Sequence, residues 1–304
     1  MKNTLSSPDS PLAGYICALL ATVIWSGNFI IARGLSEALP PVTLATLRWA
    51  VACAALLPFT VLRVWRARQI VRARFVYLAA VALVSVTVFN TMIYEAGRTT
   101  NALNLSLIAA STPVFIILLS RVFLGEAITR NRLIGLIAAV SGIVLLVTRG
   151  DLSVLLALTF REGDLWMLGA AILWAVYSIM IRRKPGDVDP LVFLSVTFAL
   201  GFLPLIPAAL LEQQYCAPWS LTPGIAGAVL YIGVGASLAA YFLWARAVAI
   251  LGPSRPGMVY YSLPVFCAVE ALLFLGESVT WAHGASFALI LGGILVATKR
   301  GQAK

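Results

Sequence analysis

Charge is what this sequence has least of. Of 304 residues only 11% are Asp, Glu, Lys or Arg, against about a quarter in an ordinary soluble domain. Acids number twelve, cysteines four, and His283 is the only histidine. Each shortage removes a class of function. A zinc ion or a histidine general base needs neighbours at useful spacing, and His283 has none. Cys17, Cys53 and Cys267 lie inside apolar runs while Cys216 stands alone, so neither a disulfide nor a metal framework is expected. No Gly-Lys-Ser/Thr phosphate loop occurs, so the chain should hold no ATPase of its own. A membrane-embedded transferase would need acids, His or Lys clustered at one face, and the inventory lacks them. No enzymatic activity and no cofactor are therefore expected.

What is abundant is apolar. Hydrophobic residues make up 61% and the mean hydropathy is +0.96, the profile of a polytopic membrane protein. The net charge of +10 could suggest nucleic acid, but Lys and Arg sit in short runs between apolar segments and form no solvated basic domain. Taking about 20 apolar residues per crossing, ten spans are predicted at 12–32, 41–62, 74–94, 101–121, 132–149, 164–182, 190–211, 223–245, 254–275 and 281–298. The first contains Trp25, Ser26 and Asn28 and is expected to stay as a helix, not to be cleaved as a leader. The run Leu152 to Phe160 is too short to cross and reads as an interfacial or loop segment. With the N-terminus inside, seventeen Lys and Arg fall on the inner face and four on the outer, so both termini should be cytoplasmic.

The chain also repeats itself. Ser111 to Thr129 and Ser262 to Thr280 share nine of nineteen positions at a constant offset of 151, including Pro113-Val114-Phe115 over Pro264-Val265-Phe266 and Gly125-Glu126 over Gly276-Glu277. The pairing continues through Gly142 over Gly293 to Arg149 over Arg300. This is a duplication, dividing the chain at 1–149 and 150–304. Five spans per copy is an odd number, so the copies enter the membrane from opposite sides. The expected fold is all-α and integral to the membrane, with ten transmembrane helices in two inverted five-helix repeats. Such repeats recur in secondary transporters, where the substrate lies near the midplane and access alternates.

The two Pro-Val-Phe…Gly-Glu…Thr segments, with Trp25-Ser-Gly-Asn28 in helix 1 and Trp174-Ala-Val-Tyr177 in helix 6, resemble the drug/metabolite transporter superfamily in its EamA-type ten-helix branch. Within it, the aromatic content of helices 3, 6, 8 and 9 resembles the amino acid exporters of the YddG type. The resemblance implies export of small metabolites such as amino acids, aromatic ones included, from a bacterial inner membrane, with a monomer as the working unit. A multidrug exporter is the sibling alternative.

Candidate site residues follow from spacing. Trp25 with Asn28, Trp174 with Tyr177, Tyr241 with Trp244, and Asn90 with Tyr94 each share a helix face. Interfacial aromatic belts would claim some of them, Tyr94 and Trp244 first. An amide in hydrocarbon needs a partner, so Asn90 either lines a cavity or bridges helices. Tyr260, Tyr261 and Ser262 precede Pro264, and Ser111 precedes Pro113; these hydroxyls either ring a cavity or bond back to their own helices. Pro113 and Pro264 should bend helices 4 and 9, free the carbonyls of Ala109 and Tyr260, and act as hinges. Arg48 and Glu270 are intramembrane charges, candidates for charge coupling, for a mutual ion pair, or for snorkelling in the case of Arg48. Gly125-Glu126 and Gly276-Glu277 read as helix connections, with each Glu complementing the dipole of the next helix.

Overall fold

A computed structural model describes residues 10–35, 38–99, 108–109, 111–148, 151, 153, 162–275 and 281–298. Among these the main helices are α1 (Pro11–Gly34), α2 (Pro41–Arg66), α3 (Phe75–Thr99), α4 (Thr112–Leu124) and α5 (Arg130–Thr148) in the first repeat. The second repeat holds α6 (Glu162–Arg182), α7 (Pro190–Glu212), α8 (Pro223–Leu251), α9 in two pieces (Ser254–Tyr260 and Leu263–Leu275) and α10 (Trp281–Thr298). The fold is the expected all-α membrane architecture of two inverted five-helix repeats. The start of the fourth predicted span (101–107), most of the run Leu152 to Phe160, the Gly276-Glu277 connection and the His283 side chain lie outside the described residues.

Local chemistry sets several helix starts. Pro41, Pro190 and Pro223 occupy first positions, where a missing N–H costs nothing. Asp189 caps α7 by accepting from the Leu191 and Val192 amides at 2.9 and 3.2 Å, and the Thr222 hydroxyl caps α8. At the other end of α4, Gly125 takes φ 69°, a left-handed conformation that glycine adopts without strain. Phe59, Val76, Val122 and Leu165 are largely exposed, as expected where helices with satisfied backbones meet lipid.

Packing interlocks the repeats. α1 lies against α8 and α9, α6 lies against α3 and α4, and α2 pairs with α7 and α5 with α10. The first helix of each repeat is thus lodged on the third and fourth helices of the other. The α5–α10 contact has the reciprocity a two-fold axis demands. A Cβ on Gly135 would lie 2.3 Å from the Gly293 carbonyl oxygen, and one on Gly142 would lie 2.9 Å from that of Ser286. The offset of 151 carries Gly135 onto Ser286 and Gly142 onto Gly293, so the two contacts are one contact seen from either repeat. Small residues here let backbones touch, where lipid offers no hydrophobic drive to associate.

The bends expected at the prolines fall two or three residues earlier. In α9 the chain turns at Tyr261 and Ser262, whose amides bond back three residues to Met258 and Val259 at 3.2 and 2.9 Å. Pro264 then sits in the first turn of the second piece. In α4 the Ser111 amide bonds to the Ile108 carbonyl at 2.9 Å, and Pro113 occupies the first turn. Each proline therefore starts a helix after a break, a position where it displaces no intrahelical bond.

Candidate functional site

Two helices depart from α geometry near the middle of the bundle. α3 is π-helical over Leu83–Val88 and α8 over Tyr231–Ala239. A π turn widens the ring by one residue and turns carbonyls out of the usual ladder. Those of Ser85 and Ala236 are used by side chains, three of the four from other helices and Asn90 from the same one. The Ser85 carbonyl accepts from Asn90 Nδ2 at 3.1 Å and from the Tyr241 hydroxyl at 2.7 Å. The Ala236 carbonyl accepts from Trp25 Nε1 at 2.9 Å and Arg48 Nη2 at 3.2 Å. Ser85 and Ala236 are separated by 151, the offset of the repeat. Each copy thus contributes one out-turned acceptor at the same place.

Around these acceptors the aromatic faces read from the sequence converge. Trp25 packs on Trp174 edge to face at 4.9 Å between centroids, on Trp244 at 5.5 Å, on Tyr241 at 6.0 Å and on Tyr260 at 6.1 Å. Trp174 meets Tyr177 at 4.9 Å, and Tyr177 meets Tyr241 at 5.6 Å. Edge-to-face and tilted contacts of this kind are favourable because the ring edge is positive and its face negative. Sequence reasoning missed Trp49, Phe89 and Phe198, which complete the cluster: Trp49 lies 5.4 Å from Tyr241 and 4.7 Å from Phe198, and Phe89 4.7 Å from Trp174. None of the three has an aromatic counterpart at the offset of 151, where Leu200, Ala240 and Leu47 stand, so the repeat does not mark them.

The cluster is symmetric in outline and asymmetric in its polar atoms. Trp25 and Trp174 begin the two repeats, yet only Trp25 finds an acceptor. The counterpart acceptor for Trp174 would be the Ser85 carbonyl, which Asn90 and Tyr241 already hold. Trp174 Nε1 is left buried without a hydrogen-bonding partner among the described residues, as are Trp49 Nε1 and the Tyr177 hydroxyl. Buried polar groups are paired in most structures, so three such donors in one cluster call for explanation.

Beside the rings, Arg48 is 1% exposed and does not snorkel. Its Nε donates to the Ser237 hydroxyl, Nη1 to Asn28 Oδ1 at 3.1 Å and to the Tyr94 hydroxyl at 3.0 Å, and Nη2 to the Ala236 carbonyl. The expected pair with Glu270 does not form. Glu270 Oε1 accepts instead from the Ser26 hydroxyl at 2.7 Å. Ser26 and Asn28 are two residues apart on α1, hence about 200° around the helix, and α1 therefore stands between the two charges.

The remaining candidates separate. Tyr94 and Trp244 are 4% and 0% exposed, inside the bundle and not in an interfacial belt, and Trp244 Nε1 donates to the Ser178 hydroxyl at 3.3 Å. Asn90 bridges α3 to α8 through its 3.2 Å bond to Tyr241. Ser111 and Ser262 bond back to Ile108 and Val259, three residues before each, so neither joins a polar ring. Tyr261 faces a separate apolar cluster with Ile117, Ile143 and Ile290.

Side-chain ties link helices at both ends of the bundle. At the arginine-rich end, Glu126 accepts from Arg132 at 3.2 Å and from the Ser254 hydroxyl at 2.6 Å, joining the α4–α5 connection to the start of α9. Glu126 therefore links the repeats, a larger part than the dipole complement expected of it. Arg182 donates to the Ala249 carbonyl at 2.7 Å and Arg183 to that of Phe123. Nearby, burial lowers the pKa of the Lys184 ammonium. At the opposite end Glu212 of α7 accepts from the Val42 and Thr43 amides at 2.9 and 2.7 Å, capping α2 from another helix.

The sequence matches the EamA-like transporter family twice, over residues 12–148 and 161–299. The chain belongs to that family. Among its relatives is an uncharacterized transporter of Archaeoglobus fulgidus, 28% identical, with 94% of this chain and 97% of that protein aligned. The uncharacterized transporter YyaM of Bacillus subtilis is 22% identical over 93% of each. A protein of Streptantibioticus cattleyicolor named "Probable terminal-alkyne amino-acid exporter" is 27% identical, with 64% of this chain and 63% of that protein aligned. A crystal structure at 21% identity superposes with a TM-score of 0.76, covering 95% of this chain and 97% of that one, and supports the fold. This EamA-family chain is accordingly a multi-pass membrane transporter of small molecules.

Proposed function

We propose that the protein is a secondary transporter that exports amino acids, aromatic ones included, by alternating access around the aromatic cluster. Its two halves, 1–149 and 150–304, act as the inverted repeats that rock against each other, with the breaks before Pro113 and Pro264 as hinges. It works as a monomer in the inner membrane with both termini in the cytoplasm. The observation that carries this reading is the set of buried, unpartnered donors, Trp49 Nε1, Trp174 Nε1 and the Tyr177 hydroxyl, among rings that stack on apolar or aromatic solutes. The amino acid exporter among the relatives points to the same solute class.

The test is transport in proteoliposomes over a panel of amino acids, with and without an imposed pH gradient. The reading expects saturable flux of several amino acids, phenylalanine and tryptophan among them. Flux no greater than in protein-free vesicles for the whole panel would remove the amino acid assignment. Movement of lipophilic cations instead would favour the multidrug alternative.

A further inference from the structure

Arg48 is a fully buried cation whose hydrogen-bonding partners among the described residues are all neutral. A guanidinium keeps its charge under any physiological condition, and a lone charge inside a membrane protein is costly unless something balances it. Four of its five N–H groups reach Ser237, Asn28, Tyr94 and the Ala236 carbonyl, which leaves one N–H on Nη2 without an acceptor. No acid balances it among the described residues. Glu95 pairs with Arg98 at 3.1 Å, Glu212 caps α2, and Glu270 lies on the far side of α1, its Oε1 held by Ser26 and its buried Oε2 without a partner among the described residues. The aromatic cluster, which reaches Arg48 at Trp49, adds to the imbalance. Trp49, on which the guanidinium sits at 5.4 Å from the ring centroid, and Trp174 each hold an unpartnered indole N–H, a group that only donates.

Such a centre is rich in donors and poor in negative charge. We infer that the substrate supplies the missing anion: the site recognises a carboxylate, which Arg48 and the unpartnered indole N–H groups receive, and makes no charged contact with an ammonium. Charge-assisted bonds to a guanidinium are the strong ones in such sites. The inference rests on the transporter reading above and sharpens its substrate class, since an aromatic monocarboxylate without an amino group should be recognised as well as the amino acid.

The experiment is direct binding to the purified full-length protein in nanodiscs, read by tryptophan fluorescence, with four probes that share one ring. These are phenylalanine, 3-phenylpropanoate, phenethylamine and phenylalaninamide. The expected result is comparable affinity for the two carboxylates and affinity at least about 30-fold weaker for the amine and the amide, the loss typical of removing one partner of a buried charge pair. Arg48→Gln should bring the carboxylates down to the level of the amide. Arg48 ties α1, α2, α3 and α8 together, so that variant could unfold; the wild-type series decides the question without it. Equal binding of phenylalanine and phenethylamine overturns the inference and leaves the amino acid reading standing. Binding of 3-phenylpropanoate without phenylalanine sustains the inference and sinks the amino acid reading, and binding of none of the four sinks both.

Discussion

Tyr241 and Asn90 share one acceptor, and that sharing predicts how their loss combines. The Ser85 carbonyl accepts from Tyr241 at 2.7 Å and from Asn90 at 3.1 Å, and the two donors are themselves joined at 3.2 Å. Tyr241→Phe removes one donor but leaves the carbonyl satisfied by Asn90, so the cost should be near the membrane-protein average of about 0.6 kcal/mol. Asn90→Leu, close to isosteric, likewise leaves the Tyr241 bond, at a similar cost. The double variant is different in kind. It strands a buried carbonyl that the π turn has already removed from the helical ladder, and an orphaned buried acceptor costs about 1–3 kcal/mol. The pair should therefore destabilise by more than the sum of the singles, with a coupling of about 1 kcal/mol or more. A double-mutant cycle on reversible unfolding in mixed micelles measures this. Additive losses would refute the claim that the Ser85 carbonyl is a shared, otherwise unpaired acceptor.

Other parts of the fold make independent predictions. Gly135→Ala places a methyl 2.3 Å from the Gly293 carbonyl, a clash against backbone that no rotamer relieves; a loss of about 1–3 kcal/mol is expected, while Gly284→Ala, with nothing within 4 Å, should leave the melting midpoint unchanged. Glu212→Ala removes the acceptor for the Val42 and Thr43 amides and should cost about 0.5–2 kcal/mol, as for other lost caps, measured by thermal unfolding in detergent. Gly125→Ala has open space around it but must hold φ 69°; a cost of about 1–2 kcal/mol from strain alone is expected.

Much of this was legible in the sequence, and the misses share a cause. Apart from the fourth, whose predicted start lies outside the described residues, the runs of apolar residues gave the helices to within about six residues, because a membrane crossing has a fixed length. Helical spacing gave the faces on which Trp25, Trp174, Tyr177, Tyr241 and Trp244 meet. The rotation of one helix about another was not readable. Arg48 and Glu270 were candidates for a pair, yet α1 stands between them because Ser26 and Asn28 point to opposite sides. The acceptors were sought at the prolines, the residues with an evident backbone defect. The structure places them at Ser85 and Ala236 instead, in π turns that Leu83–Val88 announces with neither glycine nor proline. A π turn is tied to no one residue type, since Tyr231–Ala239 holds Gly233 and Gly235 while Leu83–Val88 holds no glycine. The repeat offset was the one available clue, since it carries Ser85 onto Ala236.

The central claim is that the aromatic cluster where the repeats meet receives the substrate, and Trp174 tests it most directly. Its Nε1 has no partner among the described residues, so Trp174→Phe removes none of their hydrogen bonds and keeps a ring against Trp25 and Tyr177. The measurement is phenylalanine counterflow in proteoliposomes, wild type against Trp174→Phe, with thermal stability recorded on the same preparations. The account predicts a folded protein, less stable by about 1 kcal/mol for the smaller ring, with a raised half-saturation concentration. Phenylalanine flux identical in the two proteins, or absent from the wild type, would contradict it.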